Sequence, residues 1–188
     1  MSEQLLMARI HHGFDHLDAD GDGLLTEHDH VLMGRAVARS LGHQEGSDAE
    51  GRIVAAYLAI WRDLHVSHLP IGTRAISRAQ FVASTRALAD DPVAARTVFG
   101  ALAEAFLAIA DVDGSGTVDA GEFFVFQRGH FSALSRDDAD EAFHRLDLDG
   151  DGRLSAEEFV SGLIEFWTSR EPEAPGHWWA GRPPYSLD

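Results

Sequence analysis

The chain has 188 residues, 45% of them apolar, enough to bury one sizeable core in a compact unit or in two intimate halves. Its net charge is −16, with 31 Asp and Glu against 15 basic residues that are all Arg, a balance that argues against nucleic-acid binding. The absence of Cys excludes disulfides, thiol catalysis and zinc–cysteine sites.

Apolar residues at helical spacing predict eight helices, over about 3–17, 26–41, 48–64, 77–90, 92–110, 119–129, 136–146 and 155–169. The first carries Ile10, Phe14 and Leu17 on one face and leads into DADGDGLLTEHD, Asp18 to Asp29. Oxygen side chains there fall at positions 1, 3, 5, 9 and 12 of a twelve-residue loop, with Gly23 at position 6 for the sharp turn. Calcium, a hard cation, takes several oxygen ligands in a flexible cage, and this spacing wraps the chain around one ion. The predicted ligands are Asp18, Asp20, Asp22, the Leu24 carbonyl, Thr26 (through water) and Asp29. Asp at position 12 is a methylene shorter than the usual Glu, so this loop should discriminate less well against magnesium.

The third helix opens with a Ser47-x-x-Glu50 box, and Trp61-Arg62-Asp63-Leu64 at its end echoes Phe14-Asp15-His16-Leu17. A second loop follows, but its ligands are gone. Counting back from Gln80 at position 12 puts Leu69, Ile71, Thr73 and Arg74 at positions 1, 3, 5 and 6, with no carboxylate anywhere and four residues inserted before it. It predicts the loop's shape without its ion. The fifth helix starts with Asp91 as cap and Pro92 in its first turn.

Two further loops are intact. DVDGSGTVDAGE offers Asp111, Asp113, Ser115, the Thr117 carbonyl, Asp119 and Glu122, and DLDGDGRLSAEE offers Asp147, Asp149, Asp151, the Arg153 carbonyl, Ser155 and Glu158. In each intact loop, position 9 also caps the exiting helix against position 12. That pattern alone is commonplace, but it does not account for the upstream oxygens and the glycine. Position 8 residues of paired loops should meet across a short bridge, Leu25 with Ile76 and Val118 with Leu154. Twelve of the 31 acids occupy ligand positions, and the remaining 19 against 15 Arg leave about −4, so the charge is mostly the sites themselves. Three calcium ions would bring −16 to −10.

The expected organisation is an all-α protein with four EF-hands in two pairs. Residues 1–90 form a pair whose first hand binds, residues 91–170 a pair in which both bind, and residues 171–188 an aromatic, Pro-rich tail packed on the globule. Loops one, three and four intact with loop two degenerate resembles the sarcoplasmic calcium-binding protein family and its bacterial calerythrin-like members. The resemblance runs to about residue 170, and Pro172-Glu173-Ala174-Pro175-Gly176-His177-Trp178 also looks like calerythrin-type C-termini. It implies a compact four-hand globule acting as a cytosolic calcium buffer, and it tolerates Asp at position 12 of the first loop. Calcium-regulated photoproteins and luciferin-binding proteins share the same pattern and enclose a small molecule.

Three readings of function follow. The first is a buffer that binds three calcium ions, with magnesium possible above all in the first loop. The second is a sensor that opens an apolar face to a protein partner; three Met in the chain do not make the pliable Met-rich groove of calmodulin-type sensors. The third is a carrier of a small apolar molecule, for which Trp61, Trp167, Trp178, Trp179, Tyr57, Tyr185 and 11 His are suitable lining, although aromatics at helical spacing are core in the simpler reading. His12/His16 and His65/His68 have a spacing that could hold zinc but are more simply surface or core histidines. The run Asp137-Asp138-Asp140-Glu141 is a solvated helix start. No catalytic motif is found, so no enzyme is expected. With no signal-like start, no membrane-length apolar run and no myristoylation glycine, the expectation is a cytoplasmic monomer without membrane or nucleic-acid partners. Arg without Lys, with abundant Ala and Gly, hints at a GC-rich bacterial genome.

Overall fold

The computed structural model describes residues 2–65 and 72–183. Helix α1 (Ser2–Leu17) enters the first loop, strand β1 (Leu24–Thr26) leaves it, and α2 (Glu27–Ser40) follows. After α3 (Asp48–Ile60), the backbone widens into a π turn, Trp61–His65. The uninterrupted helix expected over 48–64 is thus broken at Trp61. A π turn absorbs an extra residue inside a helix, and it lies immediately before the segment whose length exceeds its counterpart in the first hand. Strand β2 (Ala75–Ser77) and α4 (Arg78–Ala89) close the first half.

The second half runs α5 (Pro92–Ala110), β3 (Val118–Asp119), α6 (Ala120–His130), α7 (Arg136–Leu146), β4 (Arg153–Leu154) and α8 (Ala156–Thr168). A 3₁₀ turn, Pro175–Trp178, follows in the tail. The loops pair as expected: β1 and β2 are antiparallel with Leu25 opposite Ile76, and β3 and β4 with Val118 opposite Leu154. All four of these side chains are buried, so each ladder is pinned by its central apolar pair. The predicted single bridge in the first pair is a three-residue ladder.

The protein is all-α, four EF-hands in two pairs around one core. Helix α2 packs on α6 across the halves, α1 and α4 both touch α8, and α3 and α4 touch α5. Close approach of α2 and α6 requires Gly129, where a Cβ would come within 2.6 Å of Val37. Ser40 Oγ donates to the Val125 carbonyl at 2.6 Å beside this contact. Aromatic rings carry much of the interior, with Phe99 stacked on Trp167 at 5.8 Å and Phe106 edge-on to Phe126 at 5.4 Å.

Two further features were not foreseen. Helix α5, at 19 residues, is long and apolar enough to cross a membrane on length and composition, where no such run was expected. Its composition follows from its position: Ala95, Phe99, Ala103, Phe106 and Ala110 are buried in the shared core. Arg9 is wholly buried. Its guanidinium donates to the carbonyls of Phe166, in the last turn of α8, and Ser169, just past it, and to His177 Nε2 in the tail.

The tail lies against α7 and α8. Trp179 is 3% exposed, with its ring edge-on to Phe159 at 4.8 Å and to Phe123 at 6.2 Å. Gln127 Nε2 donates to the Trp179 carbonyl at 2.6 Å, and the Gly176 amide donates to Glu165 Oε2 at 2.9 Å. Trp178 is half-buried, its indole under the Arg145 guanidinium at 4.8 Å. Tyr185 lies outside the described residues.

Candidate metal centres

Each intact loop folds in on its own carboxylates. The position 6 glycines Gly23, Gly116 and Gly152 have φ of 86°, 82° and 83°, open to glycine at little cost. In all three loops this residue's amide donates to Oδ2 of the position 1 aspartate at 2.9 Å, to Asp18, Asp111 and Asp147 respectively. That bond pulls the chain into a ring and leaves the other carboxylate oxygens facing its centre.

Acidic oxygens converge at three places among the described residues: Asp18, Asp20 and Asp22; Asp111, Asp113 and Glu122; and Asp147, Asp149 and Glu158. Within each group one oxygen per residue lies within 4.8 Å of the others. Mutual repulsion of such carboxylates is relieved by a cation, and an all-oxygen set suits a hard one. A separate observation makes the same point for the first loop: Asp18 Oδ1 is buried and has no hydrogen-bond partner. A buried carboxylate oxygen left unsatisfied is costly, and a cation satisfies it.

Position 12 behaves differently in the first loop. Glu122 Oε1 accepts from the Val112 and Asp113 amides while Oε2 accepts from the Asp119 amide; Glu158 spans Leu148 and Ser155 in the same manner. Both glutamates still reach the carboxylate cluster. Asp29 is wholly buried and divides its oxygens between the Ala19 amide at 2.9 Å and the Thr26 amide and hydroxyl at 2.7 Å each, and it stands outside the Asp18–Asp20–Asp22 group. The shorter side chain makes the same backbone clamp.

The other predicted ligands are placed as follows. Ser115 Oγ lies 3.1 Å from the Thr117 carbonyl, so the position 5 and 7 oxygens of the third loop are adjacent. Asp151 Oδ1 accepts from the Arg153 amide, and Asp119 Oδ1 caps α6 through the Gly121 and Glu122 amides. Thr26 and Ser155 cap α2 and α8. Leu24 and Arg153 open β1 and β4, and Thr117 immediately precedes β3, where a position 7 carbonyl is required. Hydrogen bonds from Ser115 hold the Asp113 carboxyl below its ordinary range. Burial pushes Glu158 upward, but bonds from Ser155 and the loop amides outweigh it and hold the group low. Both carboxylates are therefore charged and ready for a cation at neutral pH.

Sequence reasoning missed a tie between the last two loops: Arg153 Nη1 donates to Thr117 Oγ1 at 2.9 Å across the β3–β4 ladder. Arg at position 7 of one loop and Thr at position 7 of its partner was the available signal.

Among the described residues, the second loop brings no carboxylate cluster. Leu69 and Ile71 lie outside the described residues; Thr73 and Arg74 are described and bring no carboxylate. Gln80 retains only the structural half of the position 12 role, with Oε1 accepting from the Ser77 amide at 2.9 Å and hydroxyl at 2.7 Å. Gln80→Glu should therefore leave the calcium stoichiometry unchanged in a calorimetric titration, because one carboxylate cannot replace the missing position 1, 3 and 5 oxygens. An added equivalent of calcium would refute this.

A second feature lies inside the fold. A narrow interior cavity of about 80 Å³ is walled by His16, His30, Tyr57, His130, Trp167 and Trp179, among others. Tyr57 Oη and His130 Nε2 are 2.5 Å apart, and burial pushes the His130 pKa down to about 4 and the Tyr57 phenol well up. Two buried polar atoms on the wall have no partner, Gln127 Oε1 and Trp167 Nε1.

Residues 101–164 match the EF-hand domain pair family. Calerythrin of Saccharopolyspora erythraea is 24% identical over 173 residues, covering 90% of this chain and 96% of that protein. Among solved structures, a calcium-binding protein of Streptomyces coelicolor, described in terms of prokaryotic calcium-mediated regulation, is 27% identical and superposes with a TM-score of 0.67 over 89% of this chain and 98% of its own. The calcium-loaded apo form of the coelenterazine-binding protein of Renilla muelleri shares the fold, with a TM-score of 0.76 at 20% identity over 96% and 97% of the two chains.

Proposed function

We propose that this EF-hand calcium-binding protein, which resembles the calerythrin and sarcoplasmic calcium-binding proteins, is a cytoplasmic calcium buffer holding three ions. The first ion takes Asp18, Asp20, Asp22, the Leu24 carbonyl, Thr26 and Asp29. The second takes Asp111, Asp113, Ser115, the Thr117 carbonyl, Asp119 and Glu122. The third takes Asp147, Asp149, Asp151, the Arg153 carbonyl, Ser155 and Glu158. The paired third and fourth hands bind most tightly and cooperatively. The first site, with Asp in place of Glu at position 12, accepts magnesium more readily, because a six-coordinate shell suits the smaller ion.

The observation that carries the buffer reading over a sensor is the docked tail. A sensor must expose an apolar groove on binding its ion. Here Trp179 fills the space beside Phe123 and Phe159, and Gln127 holds its carbonyl. Binding of a hydrophobic fluorescent dye, with and without calcium in a magnesium background, tests this. A flat or falling signal on adding calcium is expected. A large rise would replace the buffer with a sensor and direct the search to a partner protein.

The unpartnered Gln127 Oε1 and Trp167 Nε1 favour a second reading, a carrier whose ligand would accept from the indole and donate to the amide. The cavity is well below the roughly 300–1,000 Å³ of ordinary ligand pockets, so a carrier would have to expand around its cargo. Absorbance of a co-purified chromophore would reveal one.

A further inference from the structure

Histidines four apart on a helix share one face, the spacing by which helical imidazoles share a metal ion. On α1, His12 and His16 are both half-buried, and their Nε2 atoms are 3.2 Å apart. With metal–nitrogen bonds of about 2.0–2.1 Å, two imidazoles on one zinc ion lie about 2.9 Å apart at a right angle and about 3.4 Å apart at the tetrahedral angle. The observed nitrogen spacing lies inside that interval.

The rings are also held in place. Phe131, just after α6, packs edge-on against His16 at 4.2 Å and stacks over His12 at 6.4 Å. Rings fixed by packing lose little freedom on binding a cation. The charged group one residue before His16, Asp15, is engaged by Arg78 at 2.6 Å. It adds an attractive field for a cation and leaves the imidazoles as the ligands.

We propose that His12 and His16 form a metal site of a second kind, a bis-imidazole chelate for a borderline divalent cation such as Zn²⁺ or Cu²⁺, with water completing the shell. In the observed contact one Nε2–H donates to the other Nε2. On binding, both neutral rings adopt the Nδ1–H tautomer, so each Nε2 offers a lone pair and no net proton is released. The site discriminates against calcium by donor type: imidazole nitrogen suits borderline metals, and carboxylate and carbonyl oxygen suit hard ones. The protein then carries two metal chemistries in separate places and can respond to a second ion while its loops are full.

The test is a zinc titration by calorimetry of the full-length, calcium-saturated protein. One zinc equivalent beyond the calcium sites is expected. His12→Gln and His16→Gln should each weaken it at least about tenfold, a ligand being worth no less than an outer-shell contact, with the calcium isotherm retained as the check on folding. Electron paramagnetic resonance of Cu²⁺ on the unsubstituted protein gives a reading independent of either variant, and coupling to two imidazole nitrogens is expected. No zinc equivalent beyond the calcium sites, the same zinc isotherm in both variants, or a copper signal without nitrogen coupling would each overturn the proposal.

Discussion

Glu158→Gln should remove one of the three proposed calcium ions and weaken a second. Glu158 reaches the Asp147–Asp149 cluster and also accepts from Leu148 at the start of its loop and from Ser155 at the end. Gln keeps the length but loses the charge, and it must either turn an NH₂ group toward amide donors or present that group to the cation. Both alternatives cost binding. The effect spreads because β3 and β4 pair Val118 with Leu154 and Arg153 reaches Thr117, so ordering one loop helps to order the other. Couplings of this kind are typically about 5–150-fold in affinity, and the third-hand site should weaken within that range while the first site is untouched. Calorimetric titration in magnesium should count two ions, one of them weaker than before. Three ions with unaltered affinities would remove Glu158 from the ligand set.

Trp179→Ala should cost about 3–5 kcal/mol of stability, the usual range for truncating a large buried aromatic. For a protein of this size each kcal/mol moves the melting temperature by about 2–4 °C. The mechanism is a cavity between Phe123 and Phe159, where the ring is 3% exposed. Trp178→Ala is the matched control. Its indole is half-buried beneath Arg145, a contact worth about 0.5–1 kcal/mol at an exposed site. Denaturant unfolding of both variants in saturating calcium separates a tail that holds the core shut from one that merely rests on it. If the Trp179 variant were no less stable than the Trp178 variant, the tail would not be a structural plug. A destabilised Trp179 variant should also bind hydrophobic dye without calcium, as the space the ring fills becomes accessible.

What could be read from the sequence was whatever is encoded within about a dozen residues. Loop spacing, caps and glycines are local, so the carboxylate clusters and the position 8 pairs Leu25–Ile76 and Val118–Leu154 could be foreseen from a string of letters. Asp29 was foreseen as short and as the capping partner of Thr26, but not that its other oxygen would be taken by the Ala19 amide. The features that escaped depend on residues far apart in the chain. Arg9 is buried because the end of α8 supplies carbonyls more than 150 positions away. A charged residue inside the apolar stripe Leu6–Ile10 was its only local sign. The zinc-type reading of His12 and His16 was set aside for lack of a nearby ligand. Their actual separation depends on rotamers held by Phe131, which spacing does not report. The π turn at Trp61 escaped because one extra residue in a helix leaves hydrophobic periodicity nearly intact.

The ladder between β1 and β2 ties the first loop to a neighbour with no carboxylate to offer. A cation entering that loop therefore has no second cation to recruit, whereas the other two are joined across β3 and β4. Uptake is then a steep step from the coupled pair plus a shallow one from the solitary loop, with separate midpoints. On the proposed three-ion reading, a polypeptide so built would respond across a broader span of free calcium than three identical loops could cover.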